Sequence, residues 1–132
     1  MQESPSRPSS WPLAAAAALG LLIPAASAGA PPDPMRGAAL FQDRCALCHM
    51  REGGGQAPSL VGVVGRPAAA TPDAVYTRAL SVSGLIWVPE TLDRFLADPS
   101  ALVPGTAMPV SIADPRDRAD LVAFLASSAN RS

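Results

Sequence analysis

The most constraining feature of this chain is the run Cys-Ala-Leu-Cys-His at residues 45–49. These five positions hold both cysteines and the one histidine of a 132-residue sequence. Any redox or metal chemistry that needs those side chains has to be built here, and the rest of the chain has to be arranged around it. Fifteen prolines and ten glycines break the sequence into a few short regular pieces joined by long irregular connections. A chain this size with so much loop buries only a modest core of its own.

Four chemistries use cysteines three apart. A thiol–disulfide oxidoreductase places the pair at a helix start after a strand, within a βαβ unit. No such pattern surrounds Cys45 and Cys48. A structural zinc site needs four ligands, and Cys45, Cys48 and His49 supply three. A plain disulfide would close too short a loop to stabilise much, and it leaves His49 without a task. Covalent haem attachment uses all three residues. Side chains three apart on a helical turn lie on one side, about 5–6 Å apart at Cβ. Their sulfurs then reach two vinyl groups on one porphyrin edge, and the next residue brings an imidazole to the iron.

Charge narrows the partners. The chain has no lysine; its ten basic residues are all arginine, against eleven acidic residues. The arginines form no run or stripe, so nucleic acid is not an expected partner. Residues 1–28 differ in kind. Arg7 precedes an alanine- and leucine-rich stretch bounded by Pro12 and Pro24, and Ala26-Ser27-Ala28 fits signal-peptidase cleavage before Gly29. The expectation is a secretory signal over 1–28, with an uncleaved membrane tether as the alternative. Residues 29–35 read as linker, 36–129 as the folded domain and 130–132 as a C-terminal tail.

Three helices are expected. Asp33 and Pro34 give the capping residue and first-turn proline of a helix over Met35–Cys45, with Gly37, Leu40 and Phe41 on one face. Pro89–Ala97 is a second, with Leu92, Phe95 and Leu96 sharing a face and Pro99 as its stop. Asp114 and Pro115 open the third, with Leu121, Val122, Phe124 and Leu125 as its apolar stripe. The segment around Ala74–Leu80 fits either a helical turn or an extended piece. The remainder reads as loop, with no convincing strand.

A haem iron held by His49 has one further axial position, and methionine is the remaining soft ligand. Met1 leaves with the signal, Met35 lies at the start of the first helix, and Met50 is too close to His49 to cross the ring. Met108 sits 59 positions beyond His49 in "VPGTAMPV", where Pro104-Gly105 turns the chain and Pro109 stiffens it. A lone methionine is more often core filler, yet this setting suits a sixth ligand.

At these residues the chain resembles the class I c-type cytochromes, of the mitochondrial and proteobacterial type. "GAALFQDRCALCH" is similar to the family's first helix and haem site, with Gly37 and Phe41 packing on the last helix at Leu121 and Phe124. "APSLVGVVGRPA" resembles the loop whose proline carbonyl, here Pro58, accepts the proximal histidine's N–H. The resemblance implies that Tyr76 and Trp87 bond a haem propionate, with Arg66 near the same carboxylates. It implies Met108 as axial ligand, with Thr106 as its hydroxyl partner. It further implies an all-α class I cytochrome c fold: three main helices and long loops around one haem c held by Cys45 and Cys48.

Four departures stand out. The loop from His49 to Pro58 is shorter than in the mitochondrial proteins. Phe95 and Leu80 replace a tyrosine and an asparagine, and the ring of docking lysines is missing. The function expected is a monomeric, non-enzymatic one-electron carrier in the periplasm, exchanging electrons with a redox donor and acceptor. The membrane enters only if the leader is retained. A cytochrome subunit of a larger oxidoreductase and a five-coordinate haem sensor or peroxidase are the alternatives.

Overall fold

The computed structural model describes Met1 and residues 29–49, 56–72, 74–127 and 130–131. The expected signal segment otherwise lies outside the described residues. Helix α1 spans Pro34–Arg44. The Asp33 carboxylate accepts the N–H groups of Met35 and Arg36, and Pro34 fills a position where no N–H is needed. The last helix, α5, spans Pro115–Ala126 and is capped the same way by Asp114. Helix α3 spans Pro89–Ala97 and has no side-chain cap, but Glu90 sits at its positive end.

Two short helices complete the set. Helix α2, Arg78–Ser81, resolves the ambiguous stretch as a helical turn capped by Thr77. Helix α4, Pro99–Leu102, starts at the proline expected only to stop α3, with Asp98 as its cap. Among the described residues the extended structure is one isolated bridge, Pro67 with Ile86.

Helix α1 packs on α5, and α3 packs on α5 and α4. The α1–α5 contact is very close. A Cβ on Gly37 would lie 1.9 Å from the Asp120 carbonyl oxygen. Phe41 and Phe124 fill the space beside that point, their rings tilted with centroids 5.4 Å apart. Leu121 and Leu125 are buried on the same side of α5. Phe41, Trp87, Leu92, Phe95, Leu96, Val103, Ile112 and the α5 residues form one continuous apolar cluster.

A fully buried carboxylate sits in this crossing. Asp120 is 0% exposed. It accepts the Asp33 N–H at 2.7 Å and pairs with the guanidinium groups of Arg36 and Arg116. Those partners, the Asp33 N–H foremost, hold its carboxyl below the usual carboxylate range against the cost of burial. Arg116 also donates to the carbonyls of Ala30 and Pro31, so part of the compositional linker is strapped to α5. Asn130, in the stretch that composition marks as tail, is buried. Its amide donates to the carbonyls of Leu60, at 2.9 Å, and Leu125, at 3.0 Å.

Candidate haem site

Helix α1 ends where the cysteine motif begins. After Arg44 the chain continues through turns, with the His49 N–H donating to the Cys45 carbonyl at 2.9 Å. Cys45 is partly buried and packs against the core, whereas Cys48 is exposed, and the two are not joined in a disulfide. Burial pushes the Cys45 thiol up, with Arg44 pulling weakly the other way. A working redox dithiol needs a lowered thiol instead. No group of three or more His, Cys, Asp or Glu side chains gathers into a metal cluster among the described residues, so the zinc alternative finds no fourth donor there.

His49 is turned by its neighbour. Its Nδ1 lies 2.7 Å from the Pro58 carbonyl oxygen. A carbonyl can only accept, so Nδ1 carries the proton and Nε2 keeps its lone pair. Burial lowers the imidazole's pKa, partly offset by the Pro58 bond. The ring is thereby held neutral, oriented and ready to coordinate through Nε2.

The loop bearing Pro58 is itself held. Arg66 donates to the carbonyls of Ser59, at 2.9 Å, and Val61, at 3.0 Å. The Trp87 N–H donates to the Arg66 carbonyl at 3.0 Å, and the Gly65 N–H to the Trp87 carbonyl at 2.9 Å. Trp87 then meets Phe95 of α3 edge to face, with centroids 5.0 Å apart. His49, Pro58, Arg66 and Trp87 are therefore links of one connected path. Asn130 joins it at Leu60. Sequence reading missed that residue, because it lies past the last helix and outside any periodic pattern.

Thr106 and Met108 form a separate pair. The Met108 N–H donates to the Thr106 hydroxyl at 3.4 Å, and Gly105 turns the loop at φ 94°. A left-handed backbone there suits glycine. Met108 is partly buried against the apolar cluster. Tyr76 is partly buried just before α2, and no described hydrogen bond joins it to Arg66 or Trp87.

The residues fit a haem. Two thiols, an imidazole with a free Nε2 and a thioether are donors of the right chemistry for its vinyl groups and iron. The apolar cluster suits the ring. The loop between Arg66 and Tyr76 also holds a buried hydroxyl without a partner, Thr71 Oγ1. A buried polar group seldom stays unpaired, and a haem carboxylate would satisfy it.

An all-α fold in which a helix runs into Cys-x-x-Cys-His, with the histidine tied to a proline carbonyl, defines a protein built around covalently attached haem. The family model described as Cytochrome c matches residues 34–129, and the chain belongs to the cytochrome c family. It is 42% identical over 110 residues to cytochrome c2 of Rhodomicrobium vannielii, covering 80% of this chain and 87% of that one. Cytochrome c2 of Rhodopila globiformis is also 42% identical, over 100 residues, with 73% and 94% covered. The solved structure of cytochrome cH from Methylobacterium extorquens superposes with a TM-score of 0.67 at 39% identity, covering 70% of this chain and 96% of that one. The chain is thus a class I, mono-haem electron carrier, and its cofactor is one haem c on Cys45 and Cys48.

Proposed function

We propose that this cytochrome is an exported, periplasmic one-electron shuttle with His49 and Met108 on opposite sides of its haem iron. It is not an enzyme, because two filled axial positions leave no place for substrate. The observation that carries the ligation is the placement of the methionines. Among the described ones, Met108 alone packs against the core, while Met35 is 78% exposed on α1. No helix among the described residues is long and apolar enough to cross a membrane.

Haem supplies a metal that exchanges one electron between two oxidation states. The chain supplies the rest. Pro58 fixes the His49 ring, so the imidazole donor does not reorient between states. Pro104, Gly105 and Pro109 hold the Met108 loop. Trp87, Phe95 and Leu92 keep water from the site, and low polarity disfavours the more positively charged ferric state. Phe95 and Leu80 carry no polar side-chain group, so neither could donate a hydrogen bond to the Met108 sulfur. Arg66, Tyr76, Trp87 and Thr71 are proposed to hold the haem carboxylates.

The test is the oxidised spectrum of the holoprotein. It should carry the weak red absorption of a sulfur–iron bond, and the reduced form should bind carbon monoxide poorly. Met108→Ala should abolish the band and open the iron to carbon monoxide. Fast, tight carbon monoxide binding by the unmodified protein would overturn the ligation and favour the five-coordinate alternative.

A further inference from the structure

Two rows of backbone carbonyls in this molecule are closed by side chains. The first row is the loop that orients His49. Residues 58–61 lie in no helix or strand. Their four consecutive carbonyls, those of Pro58, Ser59, Leu60 and Val61, accept in turn from His49 Nδ1, Arg66, Asn130 and Arg66 again. Side chains reaching in from elsewhere therefore set the shape of this loop. The second row is the end of α5. The Ser127 hydroxyl donates to the Phe124 carbonyl at 2.6 Å, the Asn130 amide to Leu125 at 3.0 Å and the Arg131 guanidinium to Ala126 at 2.7 Å. A helix end leaves such carbonyls without intrahelical partners.

One group belongs to both rows. The Asn130 carboxamide has two N–H bonds, and its nitrogen donates to Leu60 at 2.9 Å as well as to Leu125. Asn130 is 2% exposed, so no water stands ready to replace it. Arg66 shapes the same loop, but it sits only five residues beyond Val61 and ties the segment to itself. Asn130 ties it to a separate element. Helix α5 packs on α1 through Phe124 and Phe41, and α1 runs into the motif that carries His49, whose N–H returns to the Cys45 carbonyl. The contacts form a closed circuit: His49, α1, α5, Asn130, Leu60, Pro58 and His49 again. The distance between the imidazole and its acceptor is thus held from both ends.

We infer that Asn130 is a positioning residue of the redox centre, which keeps the Pro58 carbonyl at hydrogen-bond distance from His49 Nδ1 by way of Leu60. This role presupposes that His49 binds the iron. A well-held Nδ1–H···O bond makes the imidazole a stronger donor, and a stronger donor favours ferric iron. Loosening the loop weakens that donor and raises the reduction potential.

The test compares variants of the holoprotein. Asn130→Leu keeps the branched shape and removes both donors. Ser127→Ala removes a hydrogen bond at the same helix end and leaves Leu60 alone. The reduction potential should rise in Asn130→Leu and stay at the wild-type value in Ser127→Ala. Hydrogen exchange at His49 Nδ1 in the reduced protein should quicken about tenfold in the first variant only. Asn130→Gln, which keeps both donors, should move the potential less than Asn130→Leu. The unmodified protein gives a check that needs no variant. Its Asn130 carboxamide and its His49 Nδ1–H should be protected from exchange to within about threefold of each other, as groups released by one opening are. An unchanged potential in Asn130→Leu, an equal shift in Ser127→Ala, or a carboxamide protected about a hundredfold less than the His49 Nδ1–H would overturn the role of Asn130 alone. A His49→Ala holoprotein with the wild-type spectrum and potential would overturn the ligation, and the role of Asn130 with it.

Discussion

The α1–α5 crossing and the Met108 loop are held together by opposite means. The crossing is tight and polar at its centre. Gly37 admits no methyl, and the buried Asp120 collects a backbone N–H and two arginines. The loop from Pro99 to Ala113 has no charge. It relies on Pro104, Gly105 and Pro109, on burial of Val103 and Ile112, and on hydrogen bonds to its backbone, among them Ile112 N–H to the Leu96 carbonyl at 2.8 Å and the Arg118 guanidinium to the Ile112 and Ala113 carbonyls. One region spends its polar groups on positioning helices. The other carries no charged side chain of its own. If this division holds, damage to the crossing should cost stability and leave the iron's ligands alone, while damage to the loop should do the reverse.

The largest effect should come from Gly37→Ala. A methyl group there forces the helices apart and should destabilise by about 3 kcal/mol, measured by denaturant unfolding of the holoprotein. Molecules still folded should keep the sulfur–iron band. Loss of that band in the folded state would break the comparison.

Asp120→Asn should follow. The folded carboxyl has a lowered pKa, so its stabilisation is fully present above the ordinary unfolded value of about 3.9 and is lost as pH falls through the lower folded value. The variant should be less stable at neutral pH and lose less on acidification. Unfolding midpoints across a pH series measure this, and parallel curves for variant and wild type would remove Asp120 from the acid response.

Asn130→Ala should cost about 2 kcal/mol, because two carbonyls lose buried donors. Being tied to Leu60, it should also loosen the loop that holds Pro58, seen as faster amide exchange there. The smallest effect is expected at Thr71→Val. In the haem-free chain the change should be within about 1 kcal/mol, since the hydroxyl has no partner to lose. In the holoprotein it should alter the pH dependence of the reduction potential. An unchanged dependence would remove Thr71 from the haem carboxylates.

Much of this arrangement is legible in residue order, for identifiable reasons. Asp-Pro occurs at 33–34, 98–99 and 114–115, and each time it opens a helix. The first and last are followed by long apolar stripes and are readily seen as helices. The middle one opens a helix of only four residues, too short for a periodic signal, so Pro99 reads as a stop alone. His49 with Pro58, and Thr106 with Met108, are close in sequence, and local spacing brings each pair together. Asp120 shares a face with Phe124, four residues on. That spacing signals burial, but its partners Arg36 and the Asp33 N–H lie more than eighty residues away and no local pattern points to them. Arg66 and Trp87 meet through a single isolated bridge, too small to announce itself as strands.

Asn130 has a consequence for how the protein is made. Ribosomes build from Met35 toward Asn130, so the haem-bearing motif and its proline loop emerge long before the residue that ties Leu60 in place. A nascent chain halted within α5, or one nicked by a protease after Leu125, would keep every haem donor and still lack that tie. The residues that follow α5 thus bear, through the Leu60 carbonyl, on the loop whose Pro58 carbonyl orients His49.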